Sequence, residues 1–246
     1  MNKPSLYIPR VALFVALTLG KLCSAQVTLS APGFDFGYAP QHALLSHAIW
    51  IHAGKDSVRL GRIEVACSCT KFTLEKSDLA PGDSACLEFS YDTRQGVDVT
   101  VKSLRLHIEG ESAPRAVKIV ANVAANPAAC RPITVSPAGI DLDAMAQNSK
   151  NSHASCVLAN KSEQSVTLEL VAYDSSLISV QLPDSIPAGD NRPLLINIQK
   201  SKVSESFATS LTFSVSSPAG LPIRDGRPTR YSVPIVYNMP ATNEGK

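Results

Sequence analysis

From Val27 onward, apolar and polar residues alternate in short segments broken by Gly, Pro, Asn and Asp, and no stretch sustains a helical period for three turns. Alternation with a period of two puts successive side chains on opposite faces of an extended chain, so the pattern predicts strands. In the first half these fall over 27–30, 34–38, 45–53, 57–67, 84–92, 99–109 and 115–124. In the second half they fall over 132–136, 140–143, 153–160, 164–172, 177–182, 192–199, 207–216 and 230–237. Leu104, Leu106 and Ile108 against Arg105, His107 and Glu109 give one buried and one wet face, and Val117, Ile119, Ala121 and Val123 repeat it. Ala53-Gly54-Lys55-Asp56 reads as a hairpin turn, Ala80-Pro81-Gly82-Asp83 leads into a strand, and Glu109-Gly110-Glu111 opens a further connection.

The pattern repeats. Pro32-Gly33-Phe34-Asp35-Phe36 corresponds to Pro137-Ala138-Gly139-Ile140-Asp141-Leu142, with one extra residue. Ser46-His47-Ala48 recurs as Ser152-His153-Ala154, and Pro81 of the Ala-Pro-Gly-Asp turn recurs as Pro187, both at an offset of 106. One offset held across these landmarks implies a duplicated β domain. The expected organisation is a segment 1–25, a first domain 26–126, a punctuated link at Asn126-Pro127-Ala128-Ala129, a diverged second domain 132–238 and a polar tail 239–246. Seven or so short strands per hundred residues point to two tandem immunoglobulin-like β-sandwiches, an all-β fold, with a barrel as the rival.

Residues 1–25 have the organisation of a secretory signal: Lys3 and Arg10, an apolar run Val11–Leu19 too short to span a bilayer, and small residues at Cys23-Ser24-Ala25. Cleavage is expected after Ala25, giving a periplasmic or secreted protein; Lys21 and Leu22 argue against lipidation at Cys23. The full chain has 23 basic and 21 acidic residues, and losing Lys3, Arg10 and Lys21 leaves 20 basic against 21 acidic. A nearly neutral chain with scattered charge lacks the footprint of phosphate-backbone binding, so no nucleic-acid partner is expected. No later run is long enough to span a membrane as a helix.

Five cysteines follow the signal: Cys67, Cys69, Cys86, Cys130 and Cys156. In an oxidising compartment an odd count leaves at least one thiol unpaired, metal-bound or intermolecular. Cys67 and Cys69 end an apolar strand-like run, Val65-Ala66-Cys67-Ser68-Cys69-Thr70. On a strand Ile63, Val65, Cys67 and Cys69 share a face, and cysteines two apart have Cα atoms about 6.5 to 7 Å apart, at the upper edge of disulfide reach. Three readings stand: a buried Cys67 with Cys69 as a loop-edge thiol or disulfide partner, a strained redox pair, or two soft ligands of a metal site. Only Lys71 lies close enough in sequence to activate a thiolate, and no second ligand pair follows at usable spacing. Cys86 is out of phase with inward Leu87, Phe89 and Tyr91. Cys130 and Cys156 form a candidate disulfide whose 26-residue separation is worth about 3 kcal/mol. Its rival is a buried free thiol, because Cys156 aligns with Trp50 at the offset of 106.

The histidines do not converge. His47 and His153 take equivalent places, as scaffold would, and His47 and His52 lie on opposite faces of one strand. No nucleophile elbow or Gly-rich phosphate loop occurs, so no catalytic residue, cofactor or resident metal is expected. Asn160-Lys161-Ser162 matches a glycosylation pattern but lies where a hairpin turn belongs.

Phe34-Asp35-Phe36-Gly37, Val65-Ala66-Cys67-Ser68-Cys69-Thr70, Leu79-Ala80-Pro81-Gly82-Asp83-Ser84 and Phe89-Ser90-Tyr91-Asp92-Thr93 together resemble, in order and spacing, the bacterial family catalogued as domain of unknown function 1573. The resemblance covers about residues 27–124, and the family looks related to the immunoglobulin-like modules of abnormal spindle, SPD-2 and hydin proteins. It implies an exported, non-enzymatic β-sandwich of bacteria with an outer membrane. The family usually has Gly between its two cysteines; Ser68 makes a positive-φ bend there costlier.

The leading expectation is therefore an exported, non-enzymatic binding or scaffolding protein that meets another envelope or secreted protein through its sandwich edges. The alternatives are a thiol-disulfide or soft-metal module at Cys67 and Cys69, and a periplasmic pilus-type chaperone.

Overall fold

The computed structural model describes residues 27–143, 153–199, 203–216 and 228–238, and extended strands dominate them. The predicted signal and polar tail lie outside the described residues. The first copy contains β1 (Val27–Leu29), β2 (Gly33–Pro40), β3 (Leu44–Ala53), β4 (Val58–Val65), β5 (Thr70–Leu74), β6 (Asp78–Leu79), β7 (Ser84–Asp92), β8 (Asp98–Ile108) and β9 (Arg115–Ala124). The second contains β10 (Ile133–Ser136), β11 (Ile140–Asp141), β12 (His153–Asn160), β13 (Val166–Ala172), β14 (Ile178–Gln181), β15 (Ser185–Ile186), β16 (Asn191–Ile198), β17 (Phe207–Ser216) and β18 (Thr229–Tyr237).

Each copy is a two-sheet sandwich of the immunoglobulin-like kind. One sheet runs β1-β3-β7-β5, and its counterpart runs β10-β12-β16-β14. The other sheets, β6-β4-β8-β9-β2 and β15-β13-β17-β18 with β11 beside β18, merge into a single sheet because β18 also pairs with β2. Two hydrophobic cores result, one built from Val27 to Val123 and one from Cys130 to Ile235. The alternating residues Leu104, Leu106, Ile108, Val117, Ile119, Ala121 and Val123 all point into the first.

Several expectations are corrected. The strand expected over 57–67 ends at Val65, and residues 66–69 turn. The short strands β5, β6 and β15 carry no legible alternation; on β5, at a sheet edge, Lys71, Phe72 and Thr73 are all exposed. Ala53–Asp56 and Asn160–Ser162 are not hairpins: β3 pairs with β1 and β7, whereas β4 pairs with β6 and β8, so the chain arches from one sheet to the other. Turn residues set the local bend, but which sheet the next strand joins depends on where its apolar face is buried. Asn160 is fully buried in its arch, and its amide donates to the carbonyls of Gln164 (2.7 Å), Ile186 (3.0 Å) and Pro187 (3.1 Å), so the glycosylation pattern is used as turn structure.

The duplication is visible in the hydrogen bonds, but its offset shifts. Gly37 N–H donates to the Asp35 carboxylate and Asp143 N–H to that of Asp141, an offset of 106. Beyond this the matching bonds, Ala53 N–H to Asp83 O and Asn160 N–H to Asp190 O, lie 107 apart. One residue has entered between Asp141 and Cys156. A single-residue shift reverses the faces of a strand, so Cys156 corresponds to buried Ile49 and not to exposed Trp50, and His47 corresponds to Ala154 and not to His153.

The seam between the copies follows from a difference in strand length. β2 has eight residues, whereas β11 has two and covers only Ile235 and Val236 of β18. The rest of that β18 edge takes β2, at Tyr231 opposite Tyr38. Gly37 permits the approach: its φ is +63°, and a Cβ there would lie 2.1 Å from the carbonyl oxygen of Arg230. Hydroxyls complete the seam, with Ser232 Oγ donating to Phe36 O (2.7 Å) while contacting Thr212 Oγ1 (2.7 Å). Ser46 N–H donates to Ser210 Oγ (3.0 Å) and Ser46 Oγ meets Thr209 Oγ1 (3.0 Å). One sandwich edge expected to meet a partner is thus used within the chain.

Candidate functional site

The outward positions of β3 and β7, with the exposed edge strand β5, form a floor, and the β13–β14 connection with the start of β17 forms a wall above it. The wall is fixed because Val171 and Ala172, at a register shift in β13, pack against the first core. Between floor and wall lies an open cleft of about 840 Å³. Trp50, Phe72 and Tyr173 line it and are 48%, 38% and 38% exposed, which is unusual for side chains of this size on a folded surface. Lys71, Glu88 and Asp174 add charge of both signs.

At the inner end of the cleft His47 stacks on Phe34 with ring centroids 3.6 Å apart, and Arg230 lies over the Phe34 ring at 5.5 Å. Burial, and then the nearby Arg230 guanidinium, lower the His47 pKa to about 4, so the imidazole is neutral at physiological pH. His52, on the outward face of β3, meets Ser84 Oγ at 2.7 Å. His107 Nε2 lies 3.2 Å from Glu64 Oε1. These three histidines do not gather, and among the described residues no group of three His, Cys, Asp or Glu side chains is placed to hold a metal.

Cys67 and Cys69 lie in the turn between β4 and β5 at disulfide distance, with Cα atoms 5.2 Å apart. The turn draws them closer than an extended strand would. Both are half-buried, so Cys67 is not a plain core residue, and of the two only Cys69 packs against the first core. Among the described non-glycine residues only His42 and Asp98 have positive φ, so Ser68 makes its bend without the left-handed backbone that glycine would allow. The backbone fixes the turn: Thr70 N–H donates to Cys67 O (3.1 Å), Asp92 N–H to Cys69 O (2.8 Å), and Cys69 N–H to Cys67 Sγ (3.1 Å).

The structure does not join Cys130 to Cys156; both are buried free thiols in the second core. Burial pushes the Cys156 thiol up to about 12 and raises that of Cys130. Cys86 faces outward beside Trp50, and burial followed by the charges of Glu88, Glu75 and Asp174 raises its thiol. None of the three is poised as a nucleophile.

Sequence reasoning missed the cleft. Its floor comes from the first copy and its wall from the second, and the exposure of Trp50 contradicts the usual burial of tryptophan. The only signal available was the outward phase that Trp50 shares with Cys86 and Glu88.

No helix among the described residues is long and apolar enough to cross a membrane. No curated protein matches the chain. Among solved structures it is similar to a protein of unknown function from Porphyromonas gingivalis W83, at 12% identity and a TM-score of 0.32, over 86% of this chain and 99% of that one. It is also similar to the periplasmic chaperone SfaE (14% identity, TM-score 0.31, 85% and 99% of the two chains). A PapD-like domain of human CEP192 matches over 50% of this chain and 99% of its own, at 10% identity and a TM-score of 0.34. Residues 27–123, spanning the first copy almost to the end of β9, match the model of the family described as a protein of unknown function (DUF1573).

Proposed function

We propose that this protein is an exported, non-enzymatic binding protein that holds an extended segment of another envelope or secreted protein in the cleft between its two sandwiches. The observation that carries the reading is the set of three exposed aromatic side chains, Trp50, Phe72 and Tyr173, around one cleft of about 840 Å³. Partly exposed aromatics in a concave site are typical anchors for a partner's apolar side chains, and the volume lies within the usual range for binding sites. An extended segment suits the site because β5, which lines the cleft, pairs only with β7 among the described residues. Its other edge has backbone donors and acceptors for an added strand. The shared sheet holds floor and wall in one arrangement, so little ordering is required on binding.

The test is photo-crosslinking in the native envelope, with a photoreactive residue replacing Trp50 or, as control, exposed Lys55 in the β3–β4 arch. The expected result is one discrete protein adduct from position 50, none from position 55, and the adduct mapped to an extended segment of the partner. Equal labelling from both positions would remove the cleft from consideration. Trp50 is the only tryptophan in the chain, so a partner peptide identified this way can be titrated by its fluorescence.

A further inference from the structure

We infer that Cys67 and Cys69 form a reversible thiol–disulfide exchange site that passes between bonded and dithiol forms without unfolding the sandwich. This site is separate from the cleft reading and does not depend on it.

The second copy supplies the comparison. The second copy crosses between its sheets from β13 to β14 where the first crosses from β4 to β5. Strand pairing sets the copies 108 apart here, and in its turn Asp174 and Ser176 are spaced like Cys67 and Cys69 and two bonds of the same kind recur. Thr70 N–H donates to Cys67 O (3.1 Å), and Leu177 N–H donates to Asp174 O (3.2 Å). Cys69 N–H donates to Cys67 Sγ (3.1 Å), and Ser176 N–H donates to Asp174 Oδ1 (2.8 Å). Where the first copy has two sulfurs at bonding distance, the second has Ser176 Oγ donating to Asp174 Oδ1 at 2.5 Å. The same crossing between sheets is therefore made with a hydrogen bond in place of the covalent link. The fold does not need the disulfide to make this turn.

Loop length points the same way. A link across one intervening residue closes nearly the shortest possible loop, and the chain entropy that a disulfide removes grows with loop length. A bond that restrains the unfolded chain so little is poorly placed as a staple. Both cysteines are half-buried, Cys67 between exposed Ala66 and Ser68 and Cys69 between Ser68 and buried Thr70, within reach of an external thiol, whereas Cys130 and Cys156 are enclosed in the second core.

The two sulfurs are not equivalent. Cys69 packs against the first core, and its N–H is directed at Cys67 Sγ, a donor that favours negative charge on that sulfur. Cys67 is accordingly the sulfur that joins a partner, and Cys69 is the resolving thiol. A thiolate of an external dithiol attacks Cys67 Sγ, forming an intermolecular disulfide and expelling Cys69 as a thiolate that takes a proton. The second thiolate of the dithiol then attacks its own mixed sulfur, closing a cyclic disulfide and releasing Cys67, which is protonated in turn. Two electrons pass to the pair; the reverse sequence oxidises a dithiol partner.

The experiment uses the whole oxidised protein, dithiothreitol as dithiol and oxidised glutathione as disulfide, with alkylation and mass spectrometry as readout. The expected result is two new thiols, at Cys67 and Cys69, in native buffer, with the thermal transition retained and the bond restored by oxidised glutathione. Cys69→Ser should accumulate a glutathione adduct at Cys67 at least tenfold more than Cys67→Ser does at Cys69. The double variant Cys67→Asp/Cys69→Ser, which carries an Asp–x–Ser pair like that of the second copy's turn, should fold with a cooperative thermal transition and exchange nothing. Resistance of the pair to dithiothreitol until denaturant is added, or loss of the thermal transition on reduction, would overturn the inference. Equal trapping by the two single variants would overturn the role given to Cys67.

Discussion

The two copies make the same crossing between sheets in different chemistry, Cys67 and Cys69 in the first and Asp174 and Ser176 in the second. They differ again at the strand after the first bend, which runs eight residues in β2 and two in β11. Both differences are local, and each changes what its copy contributes. The short β11 exposes part of the β18 edge and lets β2 fill it, so the second copy provides the surface on which the first is fixed. The sulfur pair gives the first copy a covalent link that the second lacks. Duplication supplied two similar scaffolds, and the positions at which they diverged are those where the molecule acquires a seam, a cleft and a linked cysteine pair.

Four measurements test what separates the two copies. The largest effect is expected from Gly37→Ala. Its side chain would meet Arg230 O at 2.1 Å on a backbone with φ of +63°, so strain and overpacking together should cost about 3 kcal/mol or more in chemical denaturation. Gly82→Ala, with a φ of +75° but no atom within 4 Å of the added carbon, should cost about 1 kcal/mol. Similar losses from the two would mean that the seam is not closely packed.

The next largest is acid sensitivity. His47 is held at about 4 against 6.5 for the free side chain, so the unfolded chain takes up the proton first as pH falls. Its contribution is whole above about pH 6.5 and is lost as pH falls toward about 4, a change on the order of 3 kcal/mol. The second copy has Ala154 at this place, so His47→Leu should flatten that part of the stability curve. An unchanged slope would assign the acid response elsewhere.

Reduction of Cys67–Cys69 should lower stability by only about 1.5 kcal/mol, the chain-entropy value for a loop of about three residues. A loss approaching that of Gly37→Ala would make the bond a structural requirement that the second copy meets in some other way. The smallest effect on stability is expected from Trp50→Ala. Its side chain is 48% exposed and the change should stay within about 0.5 kcal/mol, while partner binding falls at least tenfold if Trp50 is an anchor.

Much of the fold was legible in the sequence because period-two alternation is a local property. Leu104 to Ile108 and Val117 to Val123 each had to lie against a core, and the turn residues marked where strands ended. The edge strand β5 was hidden for the same reason: with Lys71, Phe72 and Thr73 all exposed, its burial has no alternation to read. The offset of the repeat was read one residue short after Asp141, and that error placed Cys156 opposite Trp50 and His47 opposite His153. Only backbone pairing, which reports the faces of strands directly, corrected it.

The sequence alone determined that the chain is built of strands, that its pattern occurs twice, and that Cys67 and Cys69 belong to one copy. Those are statements about neighbours along the chain. Tertiary structure decided that the copies share a sheet, that Trp50 faces a cleft, and that the cysteines turn toward each other at a crossing where the other copy uses an Asp–Ser hydrogen bond. Each of these depends on residues a hundred or more positions apart being brought into register, and register is set by packing that no local pattern records.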